Sequence, residues 1–245
     1  MAQTETEERA LSPKELIESL EAERTQFMGG RPPFRNEGRP SQTKEQIAAG
    51  KRRSHVGGDP NHRFEGERYL NAEDKTVRRK QLRKLVDEGG QTSVGGPMPS
   101  HPVLSKWQSY EFGLTDEEIT ALEKQDLSPT NLVTQGWWVY VQRISSWAVA
   151  IGTSLVGEGS KRLPGAQEYY AQLIDTARED YEAMGIKNVD RAVQLMIEHA
   201  PFGVDLEHAR FGEEVIEEFV NTPELQEEMR QAFILTMHKI WNDRI

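Results

Sequence analysis

Between Asn131 and Glu158 the apolar residues Trp137, Val141, Ile144, Ala148, Ile151 and Leu155 recur at alternating spacings of four and three. That period lays them along one stripe of an α-helix. A chain carrying such a stripe has to cover it with other elements, and the remaining sequence supplies helices. Ser12-Pro13-Lys14-Glu15 combines an N-cap serine with Pro at the first helical position, Thr115 and Glu118 form a capping box, and Thr222-Pro223 repeats the cap-then-proline signal. The predicted helices are 12–27, 71–88, 101–112, 115–124, 131–158, 166–184, 188–200, 204–220 and 223–244. A further start at Ser41-Gln42-Thr43 runs into "HVGGDPNHRFEGERYL", which predicts an irregular or broken helix. On 71–88 the apolar side is Val77, Leu82, Leu85 and Val86, and the basic run "VRRKQLRK" reads as a solvated face. No segment alternates with the period of a strand. The expectation is an all-α protein: a disordered stretch 1–10, then one helical bundle of about eight helices over residues 11–245.

The chain has 245 residues, enough for a real core, and no cysteine, which removes disulfides, thiolate metal ligands and thiol nucleophiles. A formal net charge of −10 argues against a general nucleic-acid binder. "MAQTETEERALSPKE" lacks an apolar centre, and the longest apolar tract is broken by Gln142, Arg143 and several serines, so neither a signal peptide nor a membrane span is expected. A cytoplasmic protein acting on a small molecule, without nucleic-acid or membrane partners, is the default. A homodimer is compatible with the tryptophan-rich helix, which is equally compatible with a fully internal position.

The residues that stand out chemically are carboxylates and histidines. Glu158 continues the apolar stripe, where a carboxylate needs a partner. The alternative is that the helix has ended and Glu158 pairs with Lys161 or Arg162 in solvent. Asp205 and His208, three apart in "VDLEHARFGEEV", share a helix face with apolar neighbours Leu206 and Phe211. Glu88, His101 and His199 lie on other helices. Together the six supply three acids and three imidazoles, a donor set suited to iron with open positions for dioxygen. Read singly, Glu88 could be a solvated helix end, His101 a cap, and Asp205–His208 a polar surface pair. His55 and His62 lie two helical turns apart, but Gly57, Gly58 and Pro60 between them weaken the helix premise. His238, between Met237 and Trp241, reads as packing.

In order along the chain, "VRRKQLRKLVDEGG", "HPVLSKWQSYEFGLTDEEI", "WWVYVQRISSWAVAIGTSLVGEG" and "EHAPFGVDLEHARFGEEVIEEF" resemble the heme-oxygenase-like superfamily. That group contains pyrroloquinoline-quinone synthase, the TenA thiaminases and the heme-oxygenase-like diiron oxidases. The resemblance covers roughly residues 12–244 and is sharpest in the last third. It implies a non-heme diiron site with Glu88, His101, Glu158, His199, Asp205 and His208 as ligands, two irons per chain, and dioxygen as co-substrate. One departure is notable. The family places its first C-terminal histidine four residues before the aspartate, where this chain has Pro201. His199 lies six before, and on a straight helix would turn well away from Asp205, so a break at "APFGV" is required.

Within the resemblance, a Cys-dependent thiaminase is argued against by the absence of cysteine, and heme binding by the absence of histidine in "PKELIESLEAERTQF". The expected function is an iron-dependent oxidase or oxygenase acting on an amino acid, amine or carboxylic acid. Arg143, Arg78 and Arg79 are candidates for holding a substrate carboxylate, and Tyr140 with Arg143 for lining the substrate pocket. Two alternatives stay open: a metal-free quinone-synthase-like oxidase using Tyr140, Arg143, His199 and His208 as acid–base groups, and a non-catalytic binding or scaffold protein on the same fold.

Overall fold

Reciprocal caps start three of the helices. The Ser12 amide donates to Glu15 Oε2 at 2.8 Å while the Glu15 amide donates to Ser12 Oγ at 3.4 Å. Thr43 and Gln46 repeat the pattern at 2.8 and 3.3 Å, and Thr115 and Glu118 at 2.9 and 3.2 Å. Each cap satisfies backbone donors that a helix start otherwise leaves unpaired. Thr222 caps the last helix, accepting from the Leu225 amide at 3.3 Å, with Pro223 at its first position.

The computed structural model describes residues 9–27, 42–54, 60–88, 99, 101–124, 129–203 and 205–239. Its helices are α1 (Pro13–Phe27), α2 (Lys44–Ser54), α3 (Pro60–Asn71), α4 (Lys75–Glu88), α5 (His101–Glu111), α6 (Asp116–Lys124), α7 (Pro129–Ile144), α8 (Trp147–Gly152), α9 (Leu155–Glu158), a 3₁₀ turn (Gly159–Arg162), α10 (Ala166–Ala183), α11 (Val189–Glu198), α12 (Asp205–Phe219) and α13 (Pro223–Met237). There is no strand among the described residues, and the protein is all-α. The loops expected at 28–41 and 89–98 and the residue His55 lie outside the described residues. No described helix is long and apolar enough to cross a membrane.

The helices outnumber the expected eight chiefly because the predicted helix 131–158 is divided. It breaks first at Ser145–Ser146, where the Ser146 amide donates to Glu228 Oε1 at 2.6 Å and Ser146 Oγ bonds Glu228 Oε2 at 2.7 Å. A carboxylate on α13 thus takes over a backbone donor at the break, which local periodicity cannot reveal. A second break follows Gly152, where Thr153 Oγ1 returns to the Ala150 carbonyl at 2.6 Å. Beyond the breaks the stripe holds: Val141, Ala148, Ile151 and Leu155 are buried, while Ile144, beside the first break, is exposed. The irregular second segment resolves into two regular helices, α2 and α3, with α3 packed on both α4 and α7.

Helix α12 is central. It packs on α8, α9 and the 3₁₀ turn, and reaches α1 and α4. Its Ala209, Phe211, Val215 and Ile216 join Leu16, Leu20, Ile151, Leu155, Met229 and Phe233 in the main core. A second cluster, including Ala48, Phe112, Ile119 and Ala192, ties α2, α5, α6 and α11 together. The α8–α12 approach depends on Gly152, where a Cβ would lie 2.9 Å from Ile216 Cγ1 and 3.0 Å from Met229 Sδ. Gly152→Ala is therefore expected to destabilise the protein by about 1–2 kcal/mol, despite the better helix propensity of alanine. Urea denaturation measures it, and a gain in stability would contradict this packing. His238 stacks edge-on against Phe27 at 4.8 Å, as a packing residue.

Candidate metal centre

Helix α4 is rotated by about a quarter turn from the orientation its apolar residues predict. Val77 is buried as expected, but Leu82 and Val86 are exposed, and the buried positions that follow Val77 are Gln81, Lys84 and Glu88. These recur at the spacing of a helical stripe, yet the stripe is polar. Burial of such groups requires partners, and they are present. Gln81 Nε2 donates to Glu65 Oε2 at 2.5 Å. Lys84 Nζ donates to Glu158 Oε1 and Oε2 at 2.8 and 3.1 Å and lies 3.3 Å from Glu65 Oε1. Glu65 in turn pairs with Arg68 at 2.7 Å, and Arg68 Nε donates to Gln142 Oε1 at 3.3 Å.

Glu88, the last residue of α4, meets His101, the first of α5: His101 Nδ1 is 2.7 Å from Glu88 Oε2. Glu158 ends α9, and Asp205 and His208 occupy the first turn of α12. His208 Nδ1 faces all three carboxylates, 3.5 Å from Glu88 Oε1, 3.9 Å from Glu158 Oε1 and 3.9 Å from Asp205 Oδ1. One ligand atom from each of these four residues lies within 4.8 Å of the others. The separations from His208 exceed hydrogen-bond length. Both ring nitrogens of His208 are buried and have no hydrogen-bond partner among the described residues. A buried imidazole with unpaired nitrogens among carboxylates has the donor chemistry of a cation site.

His199 also reaches the cluster, because the chain breaks where a straight helix would have failed. Helix α11 ends at Glu198, and His199 is its C-cap at φ −87° and ψ 7°. The Ala200 amide donates to the Ile197 carbonyl at 3.1 Å and the Gly203 amide to the Ala200 carbonyl at 2.8 Å, folding 199–203 into a tight turn before α12. The ring of His199 then lies 4.6 Å from that of His101, centroid to centroid. Its Nδ1 is 2.9 Å from the Leu195 carbonyl oxygen. A carbonyl only accepts, so Nδ1 carries a proton and Nε2 is the nitrogen turned away from that bond. A backbone carbonyl fixing the far nitrogen in this way is the usual support of a ligating histidine.

Of the six residues singled out from the sequence, Glu88, Glu158, Asp205 and His208 come together from α4, α9 and α12, His101 touches the group through Glu88, and His199 lies against the ring of His101. Their structural alternatives do not describe them: Glu88, Asp205 and His208 are buried, and Glu158 pairs with Lys84 rather than with Lys161 or Arg162. Lys161 instead bonds Asp205. Four residues were missed: Lys84, Lys161, Glu65 and Gln142. Lys84 stood inside the basic run read as solvated, and a lysine four residues before a glutamate on a helix looks like a surface pair in sequence. The substrate anchors are placed elsewhere. Tyr140 is exposed on α7 beside Trp137, and Arg143 is held in an exposed pair with Glu67 at 2.5 Å. Between Tyr140 and Arg143, the buried positions on α7 are Val141 and Gln142. Arg78 donates to the Ala72 carbonyl, and Arg79 is exposed.

The environment prepares the donors unequally. Burial pushes the His208 imidazole down to about 4, with nearby Lys84 adding to it against the pull of Glu88 and Asp205. His208 is therefore neutral at pH 7. Burial pushes Glu158 up to about 7, against Lys84 and with help from Asp205 and Glu65. Burial also acts to raise Glu88, but contact with His101 and the charges of His208 and Lys84 outweigh it and hold the carboxyl below its ordinary range. Asp205 is likewise held low against burial, by His199 and Lys161. A cation that takes Glu158 as a ligand displaces its proton, so the affinity of the step that engages Glu158 is expected to rise about tenfold per pH unit below neutrality and to level off above about 7, as read by isothermal titration of Mn(II) across pH. Affinity that falls or stays flat from pH 6 to 7 would contradict this account. In the metal-free chain the same two groups oppose each other. Depressed His208 loses stability as pH falls from its unfolded value toward 4, whereas raised Glu158 gains stability as pH falls from 7.

No protein-family description matches this chain, and no curated protein matches it. Among solved structures it is similar to a TenA homolog from Pseudomonas syringae pv. tomato, at TM-score 0.61 and 16% identity, covering 99% of this chain and 95% of that one. At that identity the likeness establishes the fold alone, which is that of the TenA homolog.

Proposed function

We propose that the cluster binds iron, two ions per chain, and that the protein is a dioxygen-dependent oxidase or oxygenase of a small organic substrate. The observation that carries this reading is His208, neutral, buried, unpaired at both ring nitrogens and facing three carboxylates. Glu88, Glu158 and Asp205 would hold the ions through hard oxygen donors, with His101, His199 and His208 as imidazole donors. Iron bound there would supply the one-electron chemistry with dioxygen that no side chain of this protein provides. The chain's own groups do the rest. Leu195 orients His199, and the α3–α4 network of Glu65, Arg68 and Gln81 keeps Lys84 and the neighbouring carboxylates in place.

A cavity of about 290 Å³ lies between α4 and α12, lined by Lys80, Arg83, Lys84, Glu207, His208, Arg210, Phe211 and Glu214. It touches the cluster at Lys84 and His208. Its size suits a small molecule, and its excess of basic groups suits a carboxylate-bearing one, with Arg210 in place of the arginine first expected on α7. The test is dioxygen uptake by iron-loaded protein against small carboxylic acids, amino acids and amines. Uptake stimulated by carboxylates and reduced in Arg210→Glu supports the reading, and iron-loaded protein inert toward every class contradicts it.

One observation favours the metal-free alternative. Lys84 and Lys161 already neutralise Glu158 and Asp205, as cations would. Turnover by protein stripped of metal with a chelator, equal to that of loaded protein, would select that reading.

A further inference from the structure

Lys84 is both inside the cluster and at the edge of the cavity. Its side chain is 3% exposed, and its ammonium engages both oxygens of Glu158, at 2.8 and 3.1 Å. The remaining donors are not covered in this way. Lys161 bonds only Oδ2 of Asp205, leaving Oδ1 facing His208 at 3.9 Å, and Glu88 Oε1 faces the same nitrogen at 3.5 Å. On the reading that this cluster holds iron, we infer that Lys84 is an internal cation competing with metal for Glu158: one ion binds through Glu88, Asp205 and His208 with the lysine in place, and the second binds only when Lys84 releases Glu158.

Charge supports the same order. Glu65, Glu88, Glu158 and Asp205 face Lys84, Lys161 and Arg68 within one buried network. The four carboxylates exceed the three cations by one charge, so a single divalent ion leaves the network at +1. A second brings it to +3 before any charge on an imidazole is counted. Such an excess is costly in a buried site unless a cation leaves. Lys84 has a way out, since it lines the α4–α12 cavity, in which Glu207 and Glu214 are exposed to solvent, and it is the cation held on Glu158. Arg68 has no comparable route: it is 2% exposed, paired with Glu65 and stacked over Phe64 and Trp138 at 5.0 and 5.6 Å.

The experiment is Co(II) titration of metal-free protein at fixed pH, followed by calorimetry and by the ligand-field absorption of bound cobalt, on wild type, Lys84→Met, Lys84→Arg and Glu158→Gln. Wild type should bind in two resolved steps. Lys84→Met should tighten the second step about tenfold or more, the scale on which neighbours of a metal ligand shift affinity. Lys84→Arg, which keeps the charge, should not. Glu158→Gln should lose the second step and keep the first, a result that does not depend on the Lys84 variants folding. The inference is overturned if Lys84→Met binds the second ion no tighter than wild type, if Lys84→Arg behaves as Lys84→Met, or if Glu158→Gln loses both steps. Absence of cobalt binding in wild type and Lys84 variants alike would instead overturn the metal reading itself.

Discussion

Gly203→Ala is expected to lower metal affinity by about 10- to 100-fold, although residue 203 touches none of the proposed donors. A Cβ there would sit 2.3 Å from the Glu198 carbonyl oxygen and 2.8 Å from that of Ile197. Those are backbone atoms, so relief requires the α11–α12 turn to open. The turn carries His199 at one end and Asp205 at the other, and opening it separates them. The stability cost should be modest, about 1–3 kcal/mol, because the main core lies on the far turns of α12 around Val215 and Ile216. Circular dichroism and urea denaturation establish that the variant is folded, and metal titration reads the loss. A folded Gly203→Ala that binds metal as wild type does would show that His199 takes no part in the site.

The second large effect is on stability. Arg68→Leu leaves Glu65, 3% exposed, facing Gln81 and Lys84 without its guanidinium. Burial raises the Glu65 carboxyl, and Arg68 is the largest of the charges that outweigh burial and hold it below its ordinary value. Removing one partner of a buried ion pair costs about 3–5 kcal/mol, since the other charge stays desolvated. The double variant Glu65→Gln/Arg68→Leu should recover much of that loss, because it leaves no buried charge unpaired. Denaturation of both variants checks it: a double variant less stable than the single one would mean that Glu65 is already fully compensated by Lys84. The sign with pH follows. A carboxyl depressed in the folded state contributes stability above its unfolded value and loses it as pH falls, so wild type should unfold in acid more steeply than Glu65→Gln.

The all-α class and the helix starts were legible because caps and helical periodicity are local properties, and the local chemistry of Ser12, Thr43, Thr115 and Thr222 appears as read. The carboxylate and histidine cluster was legible in part for the same reason, since Asp205 and His208 share a turn. What was not legible depends on contacts between distant residues. The break at Ser146 is made by Glu228, from another helix. The inward face of α4 is set by Glu65, Glu158 and His101, and without them Lys84 and Glu88 look like a solvated charge pair while Leu82 and Val86 look like core. Arg143 and Tyr140 were named for their chemistry, and on α7 they take exposed positions on either side of the buried Val141 and Gln142. The resemblance supplied what local reading lacked for His199: an expectation that it belongs to the site, which the turn at Ala200–Gly203 makes geometrically feasible.

All of this rests on acidic and imidazole groups from five helices meeting to hold metal. The most direct measurement is elemental analysis of protein produced in iron-supplemented medium, for wild type, Asp205→Ala and His208→Ala, each confirmed folded. The account predicts close to two irons per wild-type chain and a marked loss in both variants. Wild-type protein carrying no iron, or iron content unchanged in both variants, would contradict it.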